Sequence, residues 1–130
     1  MIALHKKTKG SIISTKAVKK NLVSRYGILS LKKEKKNYFT IKDVVEKPNI
    51  KNSPSNYAIV GRYILPKTIM SELKNINPGQ GGEIHITDAI KKLIKKGEKF
   101  YANIFKGEYL DCGTLDGYIS SGTKIIKGKK

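Results

Sequence analysis

The spacing of apolar and polar positions changes several times along the chain, and each change marks an element. Ser11 to Val18 is β-branched and predicts a strand. Lys19 to Arg25 breaks that pattern, as a connection or a single helical turn would, before Tyr26 to Leu31 resumes it. Gly27 lies inside this second run, where a glycine marks a bulge or a close approach to the backbone. Lys32 to Asn37 is a polar hairpin loop, and Tyr38 to Val45 is its second arm, stopped by Glu46-Lys47-Pro48. After a turn-rich loop over 49–55, Asn56 to Leu65 forms a near-continuous apolar run, as in a strand covered on both faces.

Helical spacing then takes over. Pro66 can open a helix with Ile69, Met70, Leu73 and Ile76 on one side. The loop Asn77-Pro78-Gly79-Gln80-Gly81-Gly82 follows as a flexible connection with free backbone amides. Thr87 is placed to cap a helix with Ala89, Ile90, Leu93 and Ile94 inward, four lysines outward and Gly97 as its stop. Strands over 99–105 and 108–112 come next, and Thr114 caps a last helix carrying Leu115, Tyr118 and Ile119. Residues 1–10 carry no structure signal and are expected to fray, and the run from Lys127 to Lys130 reads as a solvated basic tail. Strands alternating with amphipathic helices predict an α/β layered domain.

Composition narrows the function classes. The 130 residues carry 27 Lys and Arg against 10 Asp and Glu, a net charge of +17. That balance suits phosphorylated small molecules, nucleic acid or an anionic surface. Only Arg25 and Arg62 are arginines and there is no tryptophan, so the residues that read base edges and stack on bases are scarce. Most of the lysine therefore reads as solvated surface, with non-specific polyanion binding as the other outcome and no specific nucleic-acid partner expected. Cys112 is the lone cysteine, which excludes an intrachain disulfide or zinc cluster and fits a small buried hydrophobe in a cytoplasmic setting. No apolar run reaches the ~18 residues of a membrane span, and no membrane association is expected.

Candidate chemistry centres on Glu46 and Lys47. A carboxylate accepts from two neighbouring hydroxyls while the adjacent ammonium is a point charge for phosphate, the combination a sugar phosphate requires. Taken alone the pair also fits a solvated loop. Asp88, in the first turn of a helix after a glycine-rich loop, is favoured by the helix dipole and is also a candidate Mg²⁺ ligand. The Pro-Gly-Gln-Gly-Gly loop lacks Gly-Lys-Ser/Thr and follows no strand, so it is only superficially a phosphate cradle.

Four segments in order carry a more specific signal: Val23-Ser24-Arg25-Tyr26-Gly27-Ile28, then Val44-Val45-Glu46-Lys47-Pro48 with Ser55 to Pro66, then Asn77 to Ala89, then Tyr109-Leu110-Asp111-Cys112-Gly113-Thr114-Leu115-Asp116-Gly117-Tyr118. Together they resemble the C-terminal half of bacterial UTP-glucose-1-phosphate uridylyltransferases over about residues 11 to 122. The motif ending in Thr87-Asp88-Ala89 and the Asp111-Cys112-Gly113 turn make the likeness closer to these than to glucose-1-phosphate thymidylyltransferases, which remain the alternative family.

The resemblance implies the C-terminal part of a Rossmann-like mixed sheet flanked by helices, with residues 11–126 as the sugar-phosphate-binding half of a nucleotidyltransferase domain. It implies formation of UDP-glucose and pyrophosphate from UTP and glucose 1-phosphate with Mg²⁺. Lys47, holding the sugar phosphate, and Asp88, near metal and phosphates, are the implied catalytic residues. Glu46 would accept from glucose hydroxyls, Gly27 would let the backbone reach the sugar, and Ala58, Ile59 and Gly61 would line the hexose pocket. The family's N-terminal Gly-x-Gly-Thr-Arg loop has no counterpart before Ser11. The expectation is a truncated or split form, inactive alone, that joins a complementary N-terminal chain or itself through an uncovered sheet edge. A remnant that binds sugar phosphates without turnover is the non-catalytic version.

Overall fold

The computed structural model describes residues 1–33, 38–79 and 82–128. The β-branched runs become five strands: β1 (Ser11–Ala17), β2 (Gly27–Lys33), β3 (Phe39–Glu46), β4 (Tyr57–Ile64) and β5 (Phe100–Ile104). Four helices join them: α1 (Ile2–Thr8), α2 (Ile69–Lys74), α3 (Ile86–Lys95) and α4 (Leu115–Lys127). A 3₁₀ turn over Lys20–Arg25 bridges β1 and β2. The architecture is the expected mixed α/β fold, with β1 and β5 parallel and the other pairs antiparallel.

One feature of the sheet departs from expectation. The strands pair in the order β1-β4-β2-β3-β5 and the row closes back on β1, so each of the five has a neighbour on both sides. Closure is made by Phe39 opposite Ala102 and Thr40 opposite Tyr101. The uncovered edge expected to drive self-association is therefore absent among the described strands. The same closure removes the strand expected over 108–112: β1 is already paired with both β4 and β5 and offers that segment no ladder position.

The main core lies between one face of the sheet and the paired helices. Ile13, Leu29, Ile41, Val44 and Phe100 from the strands meet Ile69 of α2 and Ala89, Ile90 and Leu93 of α3. A smaller cluster of Val23, Ile28 and Ala58 fills the space under the 3₁₀ turn. β4 is not covered on both faces. Ile13 pairs with Tyr63 but Thr15 with Ile59, so residues 60–62 bulge, with Gly61 at φ 72° and exposed beside exposed Arg62.

The first ten residues are ordered rather than frayed. α1 is held by His5 Nδ1 against the Gly10 carbonyl at 2.8 Å, by Thr8 donating to the Leu4 carbonyl, and by the terminal amine donating to Asn103. α2 starts three residues later than Pro66, after a turn in which the Ile69 amide donates to the Pro66 carbonyl. The division expected at Lys127 falls inside α4, and Lys129 and Lys130 lie outside the described residues, as do residues 34–37 of the β2–β3 loop and Gln80 and Gly81.

Candidate functional site

The β2–β3 ladder ends with Gly27 opposite Glu46. Beyond it the Lys47 amide donates to the Tyr26 carbonyl at 3.0 Å, and Lys47 then turns the chain out of the strand at φ 42°. A left-handed non-glycine residue costs roughly 1–2 kcal/mol, so the turn that presents this lysine is held by its surroundings. The Glu46 carboxylate is fixed by Thr87, whose hydroxyl donates to Oε2 at 2.9 Å. This bond explains a two-residue error in the expected cap. α3 begins at Ile86 with His85 in the cap position, because the Thr87 hydroxyl faces β3 instead of its own helix end.

Gly27 is not a bulge; the register shift in this pair comes later, between Ser30 and Leu31. Its role is space. A Cβ on Gly27 would stand 2.9 Å from Thr87 Cγ2, 3.0 Å from Glu46 Oε2 and 3.2 Å from Ile59 Cδ1. The glycine thus lets β2 pass directly under the carboxylate.

Glu46 and Lys47 open onto a cleft of about 530 Å³ whose other wall is Gly79, Glu83, Asp88 and Lys91. Asp88 is in the first turn of α3, as expected, and faces this space. The glycine-rich loop contributes less than its composition suggests. The Gly79 amide donates to the Glu83 carbonyl and the Gly82 amide to the Gly79 carbonyl, so both serve the loop itself. Of the expected site residues, Gly27, Glu46, Lys47 and Asp88 come together, and Ile59 supports Gly27 from below. Ala58 is fully buried with Val23 and Ile28, and Gly61 stands in the β4 bulge, so neither lines the cleft.

The metal expectation meets a partial donor set. Among the described residues no three His, Cys, Asp or Glu side chains converge to hold a metal ion. Mg²⁺ needs near-octahedral oxygen, and here most of that shell would have to come from phosphates and water. The lysines of α3 and its C-cap are also partly engaged: Lys91 pairs with Asp43 at 3.4 Å, the C-cap Lys96 with Glu72, and Lys92 donates to the Asn75 carbonyl. That weakens the case for α3 as a polyanion face.

A second constellation escaped the sequence reading. Tyr26 donates to Asp111 Oδ2 at 2.6 Å, the Gly113 amide donates to Oδ1, and Arg25 Nη2 lies 3.7 Å from the same carboxylate. These line a cavity of about 580 Å³ with Lys16, Tyr109 and the first turns of α4. The Tyr26 hydrogen bond, the Gly113 amide and Arg25 hold the Asp111 carboxyl below the usual range. Burial, then the bond to Asp111, pushes Tyr26 up to about 12. Tyr26 and Asp111 are 85 residues apart, and no periodicity joins them. Cys112 is exposed, not the buried hydrophobe expected.

The raised Tyr26 pKa makes a prediction. A group whose pKa is higher folded than unfolded adds stability below its unfolded value and loses it as pH rises through the folded value. Unfolding free energies from urea titration should therefore fall more between pH 10 and about 12 in the parent chain than in Tyr26→Phe, by on the order of 1 kcal/mol. Parallel pH curves would show that the hydroxyl is not coupled to folding.

A mixed sheet flanked by helices, with an acid-base pair presented over a glycine at the mouth of a cleft, defines the class as an α/β domain. The sequence model of the family described as nucleotidyl transferase matches residues 1–128, and the chain belongs to that family. It is 37% identical over 121 residues to a UTP–glucose-1-phosphate uridylyltransferase of Pseudomonas aeruginosa, covering 93% of this chain and 43% of that protein. A crystal structure of UDP-glucose pyrophosphorylase complexed with UDP-glucose matches 97% of this chain and 48% of its own at 38% identity, with a TM-score of 0.90. The UTP-bound enzyme from Acinetobacter baumannii matches 96% of this chain and 42% of its own at 31% identity, TM-score 0.77. The chain thus spans less than half the length of these relatives. No described helix is long and apolar enough to cross a membrane.

Proposed function

We propose that this chain supplies the sugar-phosphate side of a site that joins UTP and glucose 1-phosphate into UDP-glucose. The observation that carries the reading is the carboxylate of Glu46, held by Thr87 directly above the bare Cα of Gly27, with Lys47 next to it at the cleft. A carboxylate accepts up to about four hydrogen bonds, so the Thr87 bond leaves capacity for vicinal sugar hydroxyls. The Lys47 ammonium is carried by the next residue and suits the sugar's phosphate. In the reaction a phosphate oxygen of glucose 1-phosphate attacks the α-phosphorus of UTP, and the bond to the β-phosphate breaks to release pyrophosphate. Positioning and charge neutralisation suffice for such a displacement, and no covalent nucleophile is required. Asp88 would add at most one carboxylate to a Mg²⁺ that arrives on the phosphates.

The choice of uridine over thymidine nucleotides rests on the names of the relatives above. Because those relatives carry more than half of their length outside the matched region, we assign binding to this chain and turnover to the whole domain. Calorimetry is the test. UDP-glucose and glucose 1-phosphate should both release heat with the isolated chain, UDP should bind more weakly, and no sustained pyrophosphate release should follow on adding UTP. UDP binding as well as UDP-glucose, with no response to glucose 1-phosphate, would overturn the reading.

A further inference from the structure

Of the four lysines expected on the outward face of α3, Lys91 alone is half-buried; Lys92, Lys95 and Lys96 are exposed. It lines the cleft with Glu46, Lys47 and Asp88. Its place follows from the direction of the helix. Thr87 meets Glu46 and Lys91, one turn further on, meets Asp43, so α3 runs antiparallel to β3 and Lys91 sits about 6 Å along the helix from the Thr87–Glu46 contact. Asp43 reaches α3 because β3 carries an extra residue there: Ser30 pairs with Asp43 but Leu31 with Ile41, and such a bulge re-aims the side chains around it. The flexible four-carbon stem of Lys91 lets one ammonium rest on Asp43 or reach the cleft beside Lys47.

We propose that Lys91 is a second phosphate-binding residue, held by Asp43 in the empty cleft and released to the ligand when a phosphorylated sugar enters. Its role depends on the sugar-phosphate reading of the cleft. The charges there call for it. The described lining residues carry three carboxylates, Glu46, Glu83 and Asp88, against the ammonium groups of Lys47 and Lys91. A phosphate monoester adds about 1.5 to 2 negative charges at neutral pH, more than Lys47 alone neutralises.

Asp43 holds its lysine loosely. The two groups are 3.4 Å apart and both side chains are more than a third exposed, so their contact adds little by itself. A phosphate of nearly double charge outcompetes a single carboxylate for the ammonium. Releasing Lys91 strands no group, because Asp43 Oδ1 keeps the Val44 amide at 2.9 Å. A neutral sugar offers Lys91 no charge to exchange for Asp43. The exchange thus favours phosphorylated over unphosphorylated sugars.

The experiment is calorimetry of the full chain with glucose 1-phosphate and with UDP-glucose, at fixed ionic strength and with a chelator present so that no divalent cation substitutes for the lysine. Circular dichroism confirms that each variant is folded. Lys91→Met should lower both affinities about tenfold, and Lys91→Arg should keep most of them. Asp43→Asn should raise both roughly threefold by freeing the lysine, and Asp43→Asn combined with Lys91→Met should bind no better than Lys91→Met alone. A gain from Asp43→Asn that survives without Lys91 overturns the exchange, because the carboxylate then repels the ligand directly. A parent chain that gives no heat with either ligand overturns the proposed function itself. A parent that binds, with Lys91→Met binding equally well, overturns the role of Lys91 alone.

Discussion

Gly27→Val should destabilise the fold by about 2–3 kcal/mol and abolish UDP-glucose binding, a pairing that few single substitutions outside the cleft would produce. Valine would place its Cβ within 2.9 to 3.2 Å of atoms on three elements, namely Thr87 of α3, Glu46 of β3 and Ile59 of β4, and would add two methyl groups beyond it. Each neighbour is a side-chain tip and could yield singly. All three cannot yield together without moving α3 from the sheet or breaking the Thr87–Glu46 bond. The effect is one of packing, because the bulged, left-handed conformation is at Gly61 and not here. Gly27→Ala should therefore be intermediate in both readouts. Urea denaturation and calorimetry check the pair of effects; a Gly27→Val chain of parent stability and parent affinity would remove Gly27 from the site.

The second large effect belongs to the acid-base pair. Glu46→Ala should lower affinity for UDP-glucose about 10- to 100-fold, the scale of a lost hydrogen bond to a charged group. It also leaves the Thr87 hydroxyl without the acceptor it now has, so some stability is lost with it. Lys47→Gly separates binding from folding. At φ 42° glycine relieves the backbone, offset by its greater freedom when unfolded, so stability should stay level or rise by up to about 1 kcal/mol. Affinity should nevertheless fall at least tenfold, because the phosphate loses its counter-charge. Stability and affinity moving in opposite directions cannot come from a damaged fold. Unchanged affinity in both variants would reduce the pair to a solvated loop.

Much of this was legible because it is local. The strand runs, the amphipathic face of α3 and the Thr114 cap of α4, whose oxygen accepts from the Gly117 amide at 3.1 Å, all follow from neighbours within a few residues. The grouping of Gly27, Glu46, Lys47 and Asp88 was visible only through the order of four motifs, since no spacing rule joins β2 to α3. What stayed hidden depends on contacts made across the chain. Thr87 looked like a cap because its bond to Glu46 spans 41 residues. α1 looked featureless because a seven-residue helix gains its stability from anchors such as Asn103, 102 positions away. The β4 bulge was masked by an apolar composition that suits a regular buried strand equally well. The direction of α4, whose Leu115, Tyr118 and Ile119 are exposed, could not be read from periodicity, which gives the width of a stripe but not the side on which the protein lies.

The parallel pairing of β1 with β5 joins residues 11–15 to residues 100–104, 89 positions along the chain. The β2–β3 hairpin, with Gly27 and Glu46 at its mouth, needs only its own loop to form, and it can assemble early. The ring of strands cannot close until the chain has passed through β4, α2 and α3, at the entropic cost of a long loop. The cleft at Glu46 and Lys47, which needs α3 laid against β3, therefore matures late in folding. Until then β1 and β3 keep open backbone edges that the native molecule hides, and refolding yield should depend more on protein concentration than native stability does.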